Sequence, residues 1–570
     1  MHTSPRSRTA RSGAVIAVAS ALVLGACSPG GSSEEPDTSA PDAGASGGNA
    51  IVALIQEPGI FSPLFTTQSG AELAYAFTLE PMFLSKPDGT YEPYLASEIP
   101  TLDNGGVSDD GTVIEYRIRE GVTWSDGEAF TADDLAFTLE AIQNPDGEIV
   151  NSAEYAQVES WEVVDELAIA VTMASPVPNY LELFNQVLPE HRFDDSAVSA
   201  EHPDARIPLG TGPFVFDEWN SGSEAILSAN ENYWGEEGPL LDGVVITMVP
   251  DAQNAINGFI NGEYDTVAYV FAGDMAQLLQ AEADGAPITV VQSDQLGFVE
   301  WLWINHSDQG DVNTPHPVLG DLAVREAMNL AIDRQAIIDD VLNGVGSLTG
   351  SFIYAGTGSI ESEPPAFDPD AAAALLDEAG WVVGADGVRE KDGVRASVRY
   401  TTIAGDQVRA LYQQLIQQNL ADIGIEVVIE NLQSNSIFDP RSEGGVLGLG
   451  DFDLMMSRDG YYPDPQAWID IWTTSSIPSD ENPDGFSYAF RSDPEFDALA
   501  DQARVEVDLA TREGLIAEIN DLFVENVIAI PLYASGVGYV FSDALGDVNI
   551  DTWDGPWSTA STLTWSLSGE

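Results

Sequence analysis

The chain has 570 residues, 44% of them hydrophobic, and carries 93 Asp plus Glu against 20 Lys plus Arg, a formal net charge of −73. Such a surface repels nucleic acid and anionic headgroups at long range, which excludes nucleic-acid binding but selects no small ligand, because acidity also serves solubility. A single cysteine excludes internal disulfides, so stability has to come from a large core, and the length suffices for several domains of about 150 residues.

Arg6, Arg8 and Arg11 precede an apolar run from Ala14, and Leu24-Gly25-Ala26 leads to the lone Cys27. This layout is an export signal, and the apolar run is shorter than the about 20 residues that a membrane span needs. It resembles a bacterial lipobox, in which the cysteine is lipidated and becomes the new N-terminus, so residues 1–27 are expected to be a lipoprotein signal peptide. Residues 28–49 are rich in Gly, Ser, Pro, Ala and Asp, contain no large apolar residue and are expected to form a disordered linker. Gly44-Ala45-Ser46-Gly47-Gly48 has the G-x-S-x-G spacing of a nucleophile elbow but lacks the strand and helix that such an elbow requires.

Beyond the linker, short apolar strands alternate with amphipathic helices, which predicts α/β layers. TVIEYRI, Thr112 to Ile118, alternates as a half-buried strand. Thr131 then caps a helix with Asp133 and Asp134 in its first turn and Leu135, Leu139 and Ile142 on one face. Val324, Ala327, Met328 and Ala331 line another helix. Asp333 caps the next, which carries Ile337, Ile338, Val341 and Leu342 before Gly344. A later helix presents Leu411, Leu415 and Ile416, ends at Gly424 and gives way to the strand IEVVIE. These periodicities mark core faces and carry no chemistry.

Several strings along the mature chain carry a resemblance. They are YEPYLASEIP; Tyr116 to Ile142, with a strand, a D-G turn and a helix opening T-A-D-D; Leu209-Gly210-Thr211-Gly212-Pro213-Phe214; Asn232-Tyr233-Trp234; NGFINGEYD; VREAMNLAIDRQAI; and IPLY. Their collinear order resembles the family 5 solute-binding proteins of ABC importers, the family of dipeptide-, oligopeptide- and nickel-binding proteins. The resemblance implies an α/β, two-lobed periplasmic-binding-protein-like fold of type II, with an extra subdomain and a ligand cleft between the lobes. Lobe I is expected over residues 50–296 plus 540–570 and lobe II over 297–539, with crossings near Phe298–Asn305 and Val537–Phe541. It further implies a monomer on the outer face of the cytoplasmic membrane, lipid-anchored through Cys27, that hands a peptide or peptide-like solute to a permease and ATPase complex. No cofactor, metal or reaction is implied.

Peptide-binding members of that family commonly carry an aspartate that holds the ligand's α-ammonium group within a segment like W-t-a-D-y-x-D/E-P. Here the segment reads Arg458-Asp459-Gly460-Tyr461-Tyr462-Pro463-Asp464-Pro465, which puts Arg458 at the tryptophan and Tyr461 at the aspartate. Asp459 or Asp464 could supply the missing anion. Arg458 could instead offer a bidentate fork to a carboxylate or phosphate, or pair with a carboxylate of its own chain. Tyr462 belongs to the same candidate segment. Trp301 and Trp303 alternate on the strand WLWIN, so they share one face, either as ligand platforms or as core. Thr67, Gln68 and Ser69 match the family's position for a ligand-touching loop.

An enzyme needs a constellation that is not legible here. His191, His202, His306 and His316 fall at no zinc-ligand spacing, and Gly344-Val345-Gly346 with Gly350 follows a helix, whereas a nucleotide loop precedes one. Three functions thus stand, in order: an importer's binding component, a surface sensor that binds a glycolipid or signal molecule on the same fold, and a hydrolase.

Overall fold

The computed structural model describes residues 47–568, apart from 67, 151–154, 269, 271, 440, 442–443, 461–462, 484 and 553. Cys27, Tyr461, Tyr462 and Thr67 lie outside the described residues, as do the signal segment and nearly all of the expected linker. Asn49, expected to close that linker, instead opens the first strand.

Ten strands form one sheet: β1 (Asn49–Leu54), β2 (Phe214–Asn220), β3 (Glu224–Ala229), β4 (Gly243–Met248), β5 (Thr266–Ala268), β6 (Ile288–Ile304), β7 (Ser397–Thr401), β8 (Glu426–Ile429), β9 (Leu454–Gly460) and β10 (Ala529–Ser542). Their order across the sheet is β8-β7-β9-β6-β10-β5-β1-β4-β3-β2. The long antiparallel pair β6 and β10 joins its two ends. Ile288–Gln292 pair with Gly538–Ser542, where Phe541 also meets Thr266 of β5. Gly297–Trp303 pair with Ala529–Gly536, and Phe298–Ile304 pair with β9. The register of β6 on β10 breaks between Gln292 and Gly297, and Phe298–Ile304 belong to the β9 ladder as well.

Each end has its own core. Val52, Phe77, Phe214, Ile246 and Trp565 pack at the β1 end. At the β9 end, Leu302, Tyr400 and Met456 pack on one face and Val299, Trp301, Trp303 and Met455 on the other. A separate three-stranded sheet, Val113–Arg117, Ala168–Met173 and Val158–Asp165, covers the helix Ala132–Gln143 and forms the subdomain between β1 and β2.

The strings that carried the resemblance are joints of this scaffold. Glu80, buried and without an ion pair within 4.0 Å among the described residues, accepts hydrogen bonds from Thr211 Oγ1 (2.7 Å), Trp234 Nε1 (2.7 Å) and Tyr233 OH (3.0 Å). Its carboxyl is pushed up to about 7 by burial. A Cβ at Gly210 would lie 1.7 Å from the Thr78 carbonyl oxygen, which is why that turn needs glycine. Thr131 and Asp134 close a capping box, and Asp134 also accepts from Trp124 Nε1 and the Glu190 amide. Arg334 of the DRQAI string donates Nε to the Pro531 carbonyl of IPLY at 2.8 Å.

Two expected faces differ. The helix Gln407–Asp422 buries Arg409, Tyr412, Gln413, Ile416 and Leu420, and Leu411 is exposed. Its inner face holds polar groups whose partners lie elsewhere, Glu300 for Arg409 and Asn431 for Gln413, so apolar spacing misreads it. The segment after Asp333 is a short α turn, Arg334–Ala336, followed by a π turn, Ile337–Val341.

Candidate functional site

Past the end of the β6 and β9 pair lies a cleft of about 570 Å3, within the range of small-molecule sites. Ala276 of the helix Ala272–Ala283 approaches from the β5 side, and the rest of the wall comes from the β9 end of the sheet. Because the cleft wraps a strand end, Arg458 and Asp459 both line it although neighbours on a strand point to opposite faces.

Five charged residues line the wall. Arg409 grips the buried Glu300 in two hydrogen bonds, 2.9 Å from Nε and 3.1 Å from Nη2, and Asp406 stands 3.8 Å from Arg409 Nε. Burial raises the Glu300 carboxyl while the Arg409 charge opposes the rise, and Arg409 is held charged above its ordinary range. That trio satisfies itself and leaves Arg458 and Asp459.

Asp459 Oδ2 is buried with no hydrogen-bond partner among the described residues. Burial first and the Glu300 charge second push its carboxyl up to about 7. The Trp303 indole nitrogen is close enough to oppose that rise but makes no hydrogen bond of proper geometry. Arg458 is exposed and forms no ion pair within 4.0 Å among the described residues. Its guanidinium lies 5.0 Å from the centre of the Phe298 ring. An unpartnered buried carboxylate is costly unless a ligand cation completes it. Phe438 and Phe486, 47% and 45% exposed, add apolar wall.

Other sequence candidates stand elsewhere. Asp464 is not a ligand group: it is 6% exposed and held by Arg512 through Nη1 (2.5 Å) and Nη2 (2.8 Å), so its charge is spent inside the protein. Trp301 is core, 0% exposed and edge-on to Trp472 and Phe523. Trp303 belongs to the cleft wall, but Trp472 stacks on its ring at 4.2 Å, so it is not a free platform. Gln68 accepts from the Gly59 amide and does not line this cleft. Ser69 enters a short 3-10 turn away from the cleft lining, and its side chain is outside the described set.

The four histidines have local partners: His191 with Asp126, His202 capping Pro203–Arg206, His306 on the Ile528 carbonyl and His316 accepting from the Val318 and Leu319 amides. Among the described residues no group of three or more His, Cys, Asp or Glu is placed to hold a metal ion.

The subdomain also touches the other end of the molecule outside the cleft. Glu182 accepts from Tyr91 OH and from the Asp464 amide, both at 3.2 Å, and Thr357 Oγ1 donates to the Gly89 carbonyl at 3.0 Å. Burial and the neighbouring Asp464 charge push the Glu182 carboxyl up to about 7.

Residues 90–480 match the family model of the bacterial extracellular solute-binding proteins, family 5, middle. The chain is 27% identical over 501 residues to the oligopeptide-binding protein AppA of Bacillus subtilis, covering 85% of this chain and 86% of that one. The structure of the oligopeptide-binding protein AppA from Bacillus subtilis in complex with a nonapeptide has a similar fold, with a TM-score of 0.64 and 23% identity over 92% of this chain and all of that one. NikA from Brucella suis in complex with Fe(III)-EDTA has a TM-score of 0.73 and 23% identity over 91% of this chain and all of that one. The chain belongs to the family 5 extracellular solute-binding proteins, and its fold is their two-lobed α/β fold.

Proposed function

We propose that this protein captures short peptides or peptide-like solutes for an ABC importer, with lobe I at residues 50–296 and 540–570, lobe II at 297–539, and Cys27 lipidated to tether it outside the cytoplasmic membrane. The observation that carries the ligand class is Asp459, a carboxylate buried at the cleft with one oxygen unpartnered among the described residues, beside exposed aromatic wall. An ammonium group on the ligand meets that need, and the relative AppA is named for oligopeptides. The cleft volume suits a peptide of a few residues.

Ligand that touches both lobes only when they are shut shifts the population toward the closed form by its differential affinity for that form. The hydrogen bonds of Glu182 with the Asp464 amide and of Thr357 with the Gly89 carbonyl would support closure as a second set of bonds between the proposed lobes. Calorimetric titration of the form lacking residues 1–27 with trialanine tests the reading: saturable binding is expected, and no heat with this peptide or a broad short-peptide mixture contradicts it.

One acyl chain gives only marginal membrane attachment, so a stable tether needs more than one. Cys27→Ala is expected to move the protein from the membrane to the soluble fraction on cell fractionation. Unchanged membrane association contradicts the tether.

A further inference from the structure

We infer that Arg458 is the anion receptor of the cleft and makes it select ligands that carry a free carboxylate. The inference rests on the peptide reading and deepens it.

The argument starts from scarcity. Only 20 basic residues face 93 acidic ones. Among the described residues Arg119, Arg206, Arg325 and Arg334 also make no ion pair, but they lie over tryptophan rings or on backbone carbonyls and none of them lines the cleft. Arg395, Arg399, Arg409, Arg504 and Arg512 all sit on carboxylates. Arg458 does not, although its cross-strand neighbour is Glu300. Arg409 has taken both oxygens of Glu300, which leaves the Arg458 guanidinium exposed at the cleft.

Phe298 then fixes where that guanidinium stays. With its Cζ 5.0 Å from the ring centre, the guanidinium rests over an aromatic surface that accepts none of its N–H groups as a carboxylate would, so its donors remain for a ligand. A carboxylate matches those donors with two parallel hydrogen bonds. Asp459, the next residue, is the spare anion of the same cleft. One spare cation and one spare anion make a host for a dipolar guest, and the surrounding negative field raises the cost of any anion that Arg458 does not meet directly.

The test titrates wild type and Arg458→Gln with trialanine and with its C-terminal amide. Wild type is expected to bind the acid about tenfold or more tightly than the amide, and the variant is expected to bind the two alike. Equal binding of both by wild type, or a preference that survives in Arg458→Gln, overturns the inference. A second arm needs no peptide: sodium succinate, compared with sodium chloride at equal ionic strength, is expected to raise the melting temperature of wild type more than that of the variant. If neither tripeptide binds wild type, the peptide reading fails and the succinate arm alone decides, with equal shifts in the two proteins refuting the anion receptor. Circular dichroism of Arg458→Gln that matches wild type excludes misfolding as the cause.

Discussion

Replacing Arg512 with leucine is expected to cost about 3–5 kcal/mol of folding stability, read as a lower denaturant midpoint at an unchanged slope. Arg512 is 1% exposed and spends both terminal nitrogens on Asp464, while its Nε holds the Ala503 carbonyl at 3.0 Å. Removing the cation leaves a carboxylate that is 6% exposed beside a second, half-buried carboxyl, Glu182. The penalty arises from the stranded charge more than from the lost pair, so Arg512→Leu combined with Asp464→Asn is expected to recover most of the loss. A single variant as stable as wild type would show that water reaches Asp464 and that the joint is not buried in solution.

Asp459→Asn is expected to weaken trialanine binding by about 2–5 kcal/mol, roughly 30-fold to several thousandfold, because the ligand ammonium then loses the cleft anion that has an unpartnered oxygen among the described residues. The same change is expected to stabilise the empty protein. The folded carboxyl is raised to about 7 from an ordinary 3.8, so its stabilising share is full below the unfolded value and is lost as pH rises through about 7. At pH 8 the buried charge therefore costs stability that the neutral amide does not, and the gap between the two proteins closes toward pH 4. Wild-type affinity runs the other way, falling about tenfold per unit as pH drops below 7 while protonation removes the anion. Asn at 459 flattens that profile. An unchanged affinity, or a pH dependence that persists in the variant, would remove Asp459 from the site.

Local chemistry made the scaffold legible. The Thr131 capping box and the Asp333 cap can be read from a few adjacent residues, because their partners lie within a turn, whereas the G-T-G turn was legible only through its resemblance to the family pattern, since it packs on Thr78 and Glu80 far along the chain. The site was harder to read. Spacing put Trp301 and Trp303 on one face, but which face is core depends on Trp472 and Phe523, far along the chain. Asp464 looked like a ligand group because Arg512, its partner, is 48 residues away. Leu411 looked buried because a helix whose inner face is lined by Arg409 and Gln413 inverts the usual pattern. Phe438 and Phe486 gave no local signal, since an aromatic residue left exposed at a cleft has the same sequence surroundings as one in a core. Arg458 and Asp459 were legible as candidates only through their departure from a family pattern. The Arg409 and Glu300 pairing that leaves them free needed the fold.

The central claim is mechanical: two lobes joined by β6 and β10 shut on a dipolar solute. Small-angle X-ray scattering of the form beginning at Ser28, with and without trialanine at a concentration that calorimetry shows to be saturating, tests it most directly. The expected result is a smaller radius of gyration with ligand bound and an intermediate curve at half saturation. Superimposable curves for the empty and saturated protein would contradict the clamp.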